Sequence, residues 1–245
     1  MGWPVIVNLK MKGLTVFVAD IRKCRGNVDA EEQRVQRELA HIRNQFQSTS
    51  LSSYQRKKYV AKLIYCHLLG YNVDIGGAEA LMLMHSTVYS EKSIGYLAAT
   101  LLLAPDMARL AINSIRLDLE SQNEIFVCLA LNAIANFSLD EIMNAVVEDV
   151  VKLLFSAGVG RSFVCKKAAL CLLKILRRNS HLEIPSAWIE SIVRMIQECN
   201  NFGVLEALSP LILELSVQRQ ISNFEGPCLN RIYSVGHLFK RFDAY

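Results

Sequence analysis

Apolar residues in this chain recur in long blocks at helical spacing, and the short alternating runs that would mark strands are scarce. Four blocks share one plan: Glu91 to Leu103, Asn123 to Phe137, Lys166 to Arg178 and Phe202 to Leu215. Each opens on a polar residue or just after one, passes through small residues and closes in an aliphatic run. Ala98, Ala130, Ala169 and Ala207 hold similar places in the four, a recurrence of roughly 30 to 40 residues. Between the blocks lie more polar helical stretches, about Asp106 to Leu119, Leu139 to Phe155 and Ser186 to Cys199. The alternation predicts stacked helix pairs.

Such a pattern defines an all-α fold, a right-handed α-solenoid of HEAT- or armadillo-like helix pairs, in which small residues let neighbouring helices approach and each repeat contacts mainly the next. Serine followed three residues later by Glu or Gln is a capping-box spacing, and it occurs at Ser52/Gln55, Ser121/Glu124 and Ser138/Glu141, predicting three helix starts. Pro210 falls inside the fourth block and should kink it, since it lacks an N–H and clashes with the preceding turn. Asn223 to Pro227 reads as a turn and Cys228 to Arg241 as one more helix. No linker divides the chain, so residues 1–245 read as one domain, with 1–11 as a disordered N-terminus. The apolar positions scattered round the last helix make an unconvincing solenoid cap, which fits a chain that continues in its parent or one that needs partners.

Composition narrows the class. With 245 residues and 52% apolar content the chain can bury a substantial core. Its longest apolar stretch, about Gly95 to Ala104, stops at Pro105 and Asp106, short of the roughly 18 to 20 residues of a membrane span. Trp3 to Val7 lacks the basic flank and cleavage site of a secretory signal, and Gly2 lacks the downstream hydroxyl of a myristoylation signal. Seven cysteines, at 24, 66, 128, 165, 171, 199 and 228, follow no paired spacing, so they read as reduced thiols in a reducing compartment rather than disulfides or a zinc site. Histidines 41, 67, 85, 181 and 237 are scattered, and no Gly-rich phosphate loop, HExxH or GxSxG is present. The sequence therefore predicts neither an enzyme nor a cofactor or metal site.

Charge is unevenly spread. Residues 1–62 hold 12 Lys or Arg against 5 Asp or Glu, and residues 63–245 hold 15 against 18, so a net +7 precedes a net −3. A basic quarter on a mildly acidic remainder predicts a polyanion at one end. An anionic membrane leaflet fits. Nucleic acid is disfavoured because the segment carries no helix-turn-helix, zinc finger or aromatic single-strand platform. The charge concentrates where Ser52 and Gln55 open a helix: Tyr54, Lys58 and Lys62 recur every four residues as one stripe, with Arg56, Lys57 and Tyr59 beside it. Unpaired N–H groups and the partial positive charge of a helix N-terminus, joined by ammonium groups and a tyrosine hydroxyl, make a seat for a phosphate headgroup. A solvated charged face is the alternative reading.

Several ordered segments carry a family likeness. Lys12 to Cys24 (KGLTVFVADIRKC), Arg37 to Arg43, the Tyr54 to Leu63 cluster, Leu68 to Tyr71, Ile94 to Leu97 and Lys167 to Leu173 resemble the adaptin large chains of clathrin adaptor complexes, and the first and third of these resemble the alpha class. The likeness spans about residues 12 to 220. It implies the first part of an adaptor trunk, incomplete relative to the whole, acting in endocytosis and protein transport from the cytosolic face of the plasma membrane at clathrin-coated pits. Its implied partners are phosphatidylinositol bisphosphate, a sigma small chain, beta-adaptin, a mu chain and dileucine-motif cargo. Carried across residue by residue, the phosphoinositide site falls on Lys12, Gly13, Tyr54, Lys58, Tyr59, Val60, Ala61 and Lys62, with Arg56 and Lys57 extending its charge. A lysine of the family's second helix is Gln45 here. Arg22 matches the arginine that meets the acidic position of a dileucine signal, its local alternative being an ion pair with Glu31 or Glu32. A gamma- or delta-type adaptin of Golgi and endosomes, or a generic scaffold binding an extended peptide, are the competing readings. A peptide scaffold would not need the basic N-terminal cluster.

Overall fold

The computed structural model describes residues 11–48, 51–156, 160–179, 182 and 184–219. Among these, eleven α-helices and one short 3-10 turn account for the regular structure, with no strand. They are α1 (Lys12–Lys23), α2 (Val28–Phe46), α3 (Ser53–Leu68), α4 (Gly77–Met84), α5 (Tyr89–Leu102), α6 (Ala108–Leu119), α7 (Glu124–Ile134), α8 (Asp140–Ser156), α9 (Ser162–Arg178), α10 (Ser186–Glu198) and α11 (Phe202–Arg219), with the 3-10 turn Pro105–Met107 before α6. Two compact units divide between Ser114 and Ile115, inside α6.

In the second unit α9 packs on both α7 and α11, while α8 and α10 pack against this inner series. That is the alternation of an α-solenoid, and its physical basis is the small residue at each crossing. Ala130, Ala169 and Ala207 are at most 1% exposed, as is Ala98 in the first unit. Polar side chains tie one inner helix to the next. Arg161 pairs with Glu124 at 3.4 Å and Lys174 donates to Asn136 at 2.8 Å, both toward α7. Lys166 and Arg177 reach Glu206 and Glu214 of α11 at 3.0 Å each.

In the first unit α3 packs on α1, α2, α4 and α5. A core of Phe17, Ile21, Val35, Leu39, Ile42, Tyr59, Leu63 and Cys66 joins α1, α2 and α3. At the α4–α5 crossing Gly95 leaves no space for a side chain, since a Cβ built there would lie 2.6 Å from the Met84 nitrogen and 2.7 Å from the Leu83 carbonyl carbon.

Helix starts follow local chemistry more closely than sequence spacing. The Ser52/Gln55 capping box forms as expected, with Gln55 N donating to Ser52 Oγ and Ser52 N donating to Gln55 Oε1. Ser121 does not cap α7. Asn123 takes that role by accepting from Ile125 N at 3.0 Å, and the Ser121 hydroxyl accepts from Asn123 N instead. An asparagine two residues nearer the apolar run satisfies the first-turn N–H without the longer reach that serine would need. Helix α8 begins at Asp140, two residues beyond Ser138. Helix α11 remains helical through Pro210. The expected turn at Asn223 to Pro227, the helix from Cys228 to Arg241 and most of the N-terminal segment lie outside the described residues. No helix of the described residues is long and apolar enough to cross a membrane.

Candidate anion-binding site

The basic cluster is built on three helices whose relative directions follow from their contacts. The Lys58 stem lies against Gly13, close enough that a Cβ at residue 13 would sit 2.9 Å from Lys58 Cδ. One turn further along both helices, the Lys62 ammonium lies 5.5 Å from the ring centroid of Phe17. Helices α1 and α3 therefore run in the same sense here. Tyr59 meets Gln45 and Lys62 meets Glu38, so α2 runs oppositely to α3. The amino ends of α1 and α3 consequently converge, bringing two sets of first-turn N–H groups and two partial positive charges to one end of the unit.

Each side chain there has an identifiable support. Met11 precedes α1 and is buried, and the Thr15 hydroxyl donates to its carbonyl at 3.0 Å, which anchors the first turn and leaves Lys12 exposed. The Lys58 ammonium sits 4.5 Å over the Tyr59 ring. Tyr59 is itself held by edge contacts with His41 and Phe46, and its hydroxyl donates to Gln45 Oε1 at 3.3 Å. Gln45 thus fixes the tyrosine. It supplies no positive charge.

The cluster divides into an outer and an inner set. Lys12, Tyr54 and, partly, Lys58 face outward, and Tyr54 is 49% exposed. Arg56 is half-buried, its Nε enclosed without a hydrogen-bond partner. Lys57 is 8% exposed, donating to Ser90 Oγ of α5 at 3.1 Å and lying 5.6 Å over the Tyr54 ring. Tyr59, Val60 and Ala61 are core residues. Lys62 is buried against Glu38 at 2.5 Å. Helical spacing at four residues placed Tyr54, Lys58 and Lys62 on one stripe, yet that stripe turns from solvent into the α1–α2–α3 interface within two turns.

Sequence reading missed the acidic side of this interface. Glu38 accepts from Lys62 and from Arg34 Nη1 at 2.8 Å, and Arg34 also reaches Asp20 of α1 at 3.4 Å. Burial pushes the Glu38 carboxyl up, but hydrogen bonds from Lys62 and Arg34 and their charges outweigh it, and the group is held below its ordinary range. The signal was present: Glu38 stands in a helical stripe with Val35, Leu39 and Ile42, all buried.

Arg22 lies apart from the basic end, at the far end of α1. It lines a cavity of about 540 Å³ between α1, α3 and α5 whose walls include Leu14, Val18, Ile64, Leu68 and Leu97. Among the described residues no ion pair joins it to Glu31 or Glu32; Glu31 accepts from the Tyr71 hydroxyl at 3.1 Å. An exposed guanidinium on an apolar wall can meet a carboxylate whose neighbours are aliphatic. No group of three or more His, Cys, Asp or Glu suited to a metal ion occurs among the described residues.

Comparison with known proteins gives the same family from a different direction. The profile of the adaptin N terminal region matches residues 31–235. The chain is 40% identical over 208 residues to AP-2 complex subunit alpha-1 of Arabidopsis thaliana, covering 84% of this chain and 20% of that protein. It is 45% identical over 194 residues to AP-2 complex subunit alpha of Schizosaccharomyces pombe, covering 78% and 22%. Against AP-1 complex subunit gamma-1 of the same yeast the identity is 31% over 232 residues, covering 94% and 26%. The chain spans about a fifth of the length of the alpha subunits it matches.

Proposed function

The chain belongs to the adaptin family, by its N-terminal region and with 40 to 45% identity to two alpha subunits against 31% to one gamma subunit, and on that premise we propose that it serves as the membrane-facing first part of a clathrin-adaptor large chain. In this reading the converged amino ends of α1 and α3 receive a phosphoinositide headgroup. Lys12 and Lys58 supply the outward charge, with backbone N–H groups of the first turns as directional donors. A sigma small chain covers the apolar wall between α1, α3 and α5, and Arg22 meets the acidic position of dileucine cargo. Beta-adaptin and a mu chain complete the assembly, which works in clathrin-mediated endocytosis. The role is recruitment and assembly rather than catalysis.

The observation that carries the reading is the approach of Lys58 to Gly13, because it brings two helix amino ends and their lysines together. A single patch of this size, worth about 1 kcal/mol per lysine at an anionic surface, binds reversibly and weakens with salt. The test is flotation of the purified chain with vesicles containing phosphatidylinositol bisphosphate or charge-matched phosphatidylserine, beside a K12A/K58A variant. Preference for the phosphoinositide that the variant loses supports the reading. Equal flotation on both lipids, or none by folded protein, returns the function to a protein scaffold.

A further inference from the structure

We propose that the groove between α7 and α9 seats an acidic amphipathic helix of a partner protein. Helices α7 and α9 run parallel, since Arg161 meets Glu124 near their amino ends and Lys174 meets Asn136 near their carboxyl ends. Along the groove α7 presents Ile125, Leu129, Asn132 and Asn136, and α9 presents Phe163, Lys167, Leu170 and Lys174, each at least partly exposed. Both rows step by four, three and four residues, and the bond from Lys174 to Asn136 sets them in register. That step is the repeat at which a third helix inserts its side chains into the holes between two rows. From Ile125 to Asn136 the groove runs about 16 Å at 1.5 Å per residue, room for about three turns of a partner helix. An extended strand, with side chains alternating every 3.3 Å or so, would fall out of step with both rows.

The groove is apolar at one end and cationic along one wall. Ile125 and Phe163 are 59% and 57% exposed and Leu170 is 39% exposed, a strip of large apolar side chains left in water. Helix α9 holds five basic residues and no acid in its 17 positions. Three of the five are matched: Lys166 by Glu206 and Arg177 by Glu214, both of α11, and Arg178 by Asp140. Lys167 and Lys174, on the α7 side of the same ridge, meet no carboxylate among the described residues. The Lys167 ammonium lies 5.9 Å over the Phe163 ring. Lys174 donates to the amide oxygen of Asn136, whose nitrogen donates to the Asn132 carbonyl, so a neutral amide chain holds this cation beside the groove. A neutral apolar helix laid there would desolvate two ammonium groups without compensation, and a basic one would be repelled. The matching occupant carries aliphatic side chains at three- and four-residue steps, flanked by carboxylates that reach Lys167 and Lys174.

The test is fluorescence anisotropy of the full chain with three labelled peptides of about 14 residues, lactam-bridged where helix is wanted because so short a helix is marginal in water. One carries leucine at heptad spacing flanked by glutamate, the second has lysine in place of every glutamate, and the third has the composition of the first with two central prolines that forbid a helix. Wild type should bind the glutamate helix about tenfold or more tightly than either of the others. K167E/K174E should reverse the order of the glutamate and lysine helices, and F163S should weaken the glutamate helix about tenfold, as loss of a central aromatic contact does. All three substituted residues are at least partly exposed, and thermal melts by circular dichroism confirm that the variants fold. Equal binding of the glutamate and lysine helices by wild type, or no binding of any peptide, overturns the proposal and needs no variant. Equal binding of the proline peptide makes the occupant an extended segment and overturns it too, as does a folded F163S that binds like wild type. No lipid enters the measurement, so its failure and that of the headgroup reading are separate results.

Discussion

Replacing Gly95 by alanine tests the claim that close helix approach builds the first unit. The new Cβ would lie 2.6 to 2.8 Å from the Met84 nitrogen and from the Leu83 carbonyl carbon and Cβ, where ordinary contact begins near 3.4 Å. Two of these three atoms are main chain and none is the tip of a flexible side chain, so α4 and α5 must separate by about 0.8 Å. A gap of that size forfeits about a quarter to a half of the dispersion energy of each facing contact. The facing residues include Ala80, Leu83, Met84, Ile94 and Ala98, all buried. Overpacking of this kind costs about 3 kcal/mol, and exchanging Gly for a better helix former returns about 1, for a net loss of about 2 kcal/mol. At about 2 to 4 °C per kcal/mol for a chain of this size, Tm should fall by about 4 to 8 °C. Thermal unfolding followed by circular dichroism measures it, with G203A as control, because a Cβ at Gly203 meets nothing nearer than 3.5 Å. An unchanged or raised Tm for G95A would show that helix propensity outweighs the crossing, and the packing argument would be wrong.

Four further outcomes follow from the site. G13A should leave Tm almost unchanged, because its Cβ meets only the movable Lys58 stem, but displacing that stem by about 0.5–1.5 kcal/mol of rotamer strain should weaken phosphoinositide flotation about 2- to 10-fold; unaltered flotation would separate Lys58 from the site. Q45K should strengthen flotation by up to about fivefold, one added lysine being worth about 1 kcal/mol at an anionic surface, and no gain would place residue 45 out of the headgroup's reach. Glu38 is held below its ordinary pKa when folded, so its contribution is present at neutral pH and is lost as pH falls below the normal carboxylate range through the folded value; wild type should lose more stability than E38Q between about pH 5 and 3, and parallel curves would contradict the bonding of Glu38 to Lys62 and Arg34. Burial pushes the Cys66 and Cys171 thiols up to about 12, so both should resist alkylation in the folded chain at pH 8 while partly exposed Cys24 reacts; comparable rates would mean the core opens readily.

The solenoid was legible because its signals are redundant. Four blocks with a buried alanine at the same place each require a close crossing, and losing one would not hide the period. Helix α4 escaped notice because an eight-residue apolar segment, GAEALMLM, is too short to establish a helical period against its neighbours. Caps were legible only where one candidate stood alone. Ser52 was the one hydroxyl residue of its run with Gln or Glu three residues on, whereas Ser121 competed with Asn123 two residues on, and the sequence spacing that favours serine carries no information about which carbonyl or hydroxyl reaches the first-turn N–H.

The candidate site exposes a more general limit of charge counting. A helix stripe records which residues share a face, but only tertiary packing decides how far along that stripe solvent extends. Tyr54 and Lys62 differ by two turns on one face, and the first is half exposed while the second is buried. The difference arises from α1, which crosses that face with Phe17 and draws Glu38 and Arg34 into the gap. A lysine beneath such a crossing is retained by its carboxylate, and its charge contributes to the field outside only as half of a neutralised pair. The 12 Lys and Arg of the first 62 residues therefore overstate the number of cations a membrane would meet. At the converged amino ends of α1 and α3, what faces outward is Lys12, part of Lys58 and the first turns of two helices, a smaller charge in a more directional arrangement. Such an arrangement distinguishes a clustered phosphate headgroup from a uniformly anionic surface, since first-turn N–H groups reward a phosphate at one position whereas a diffuse patch rewards any nearby charge.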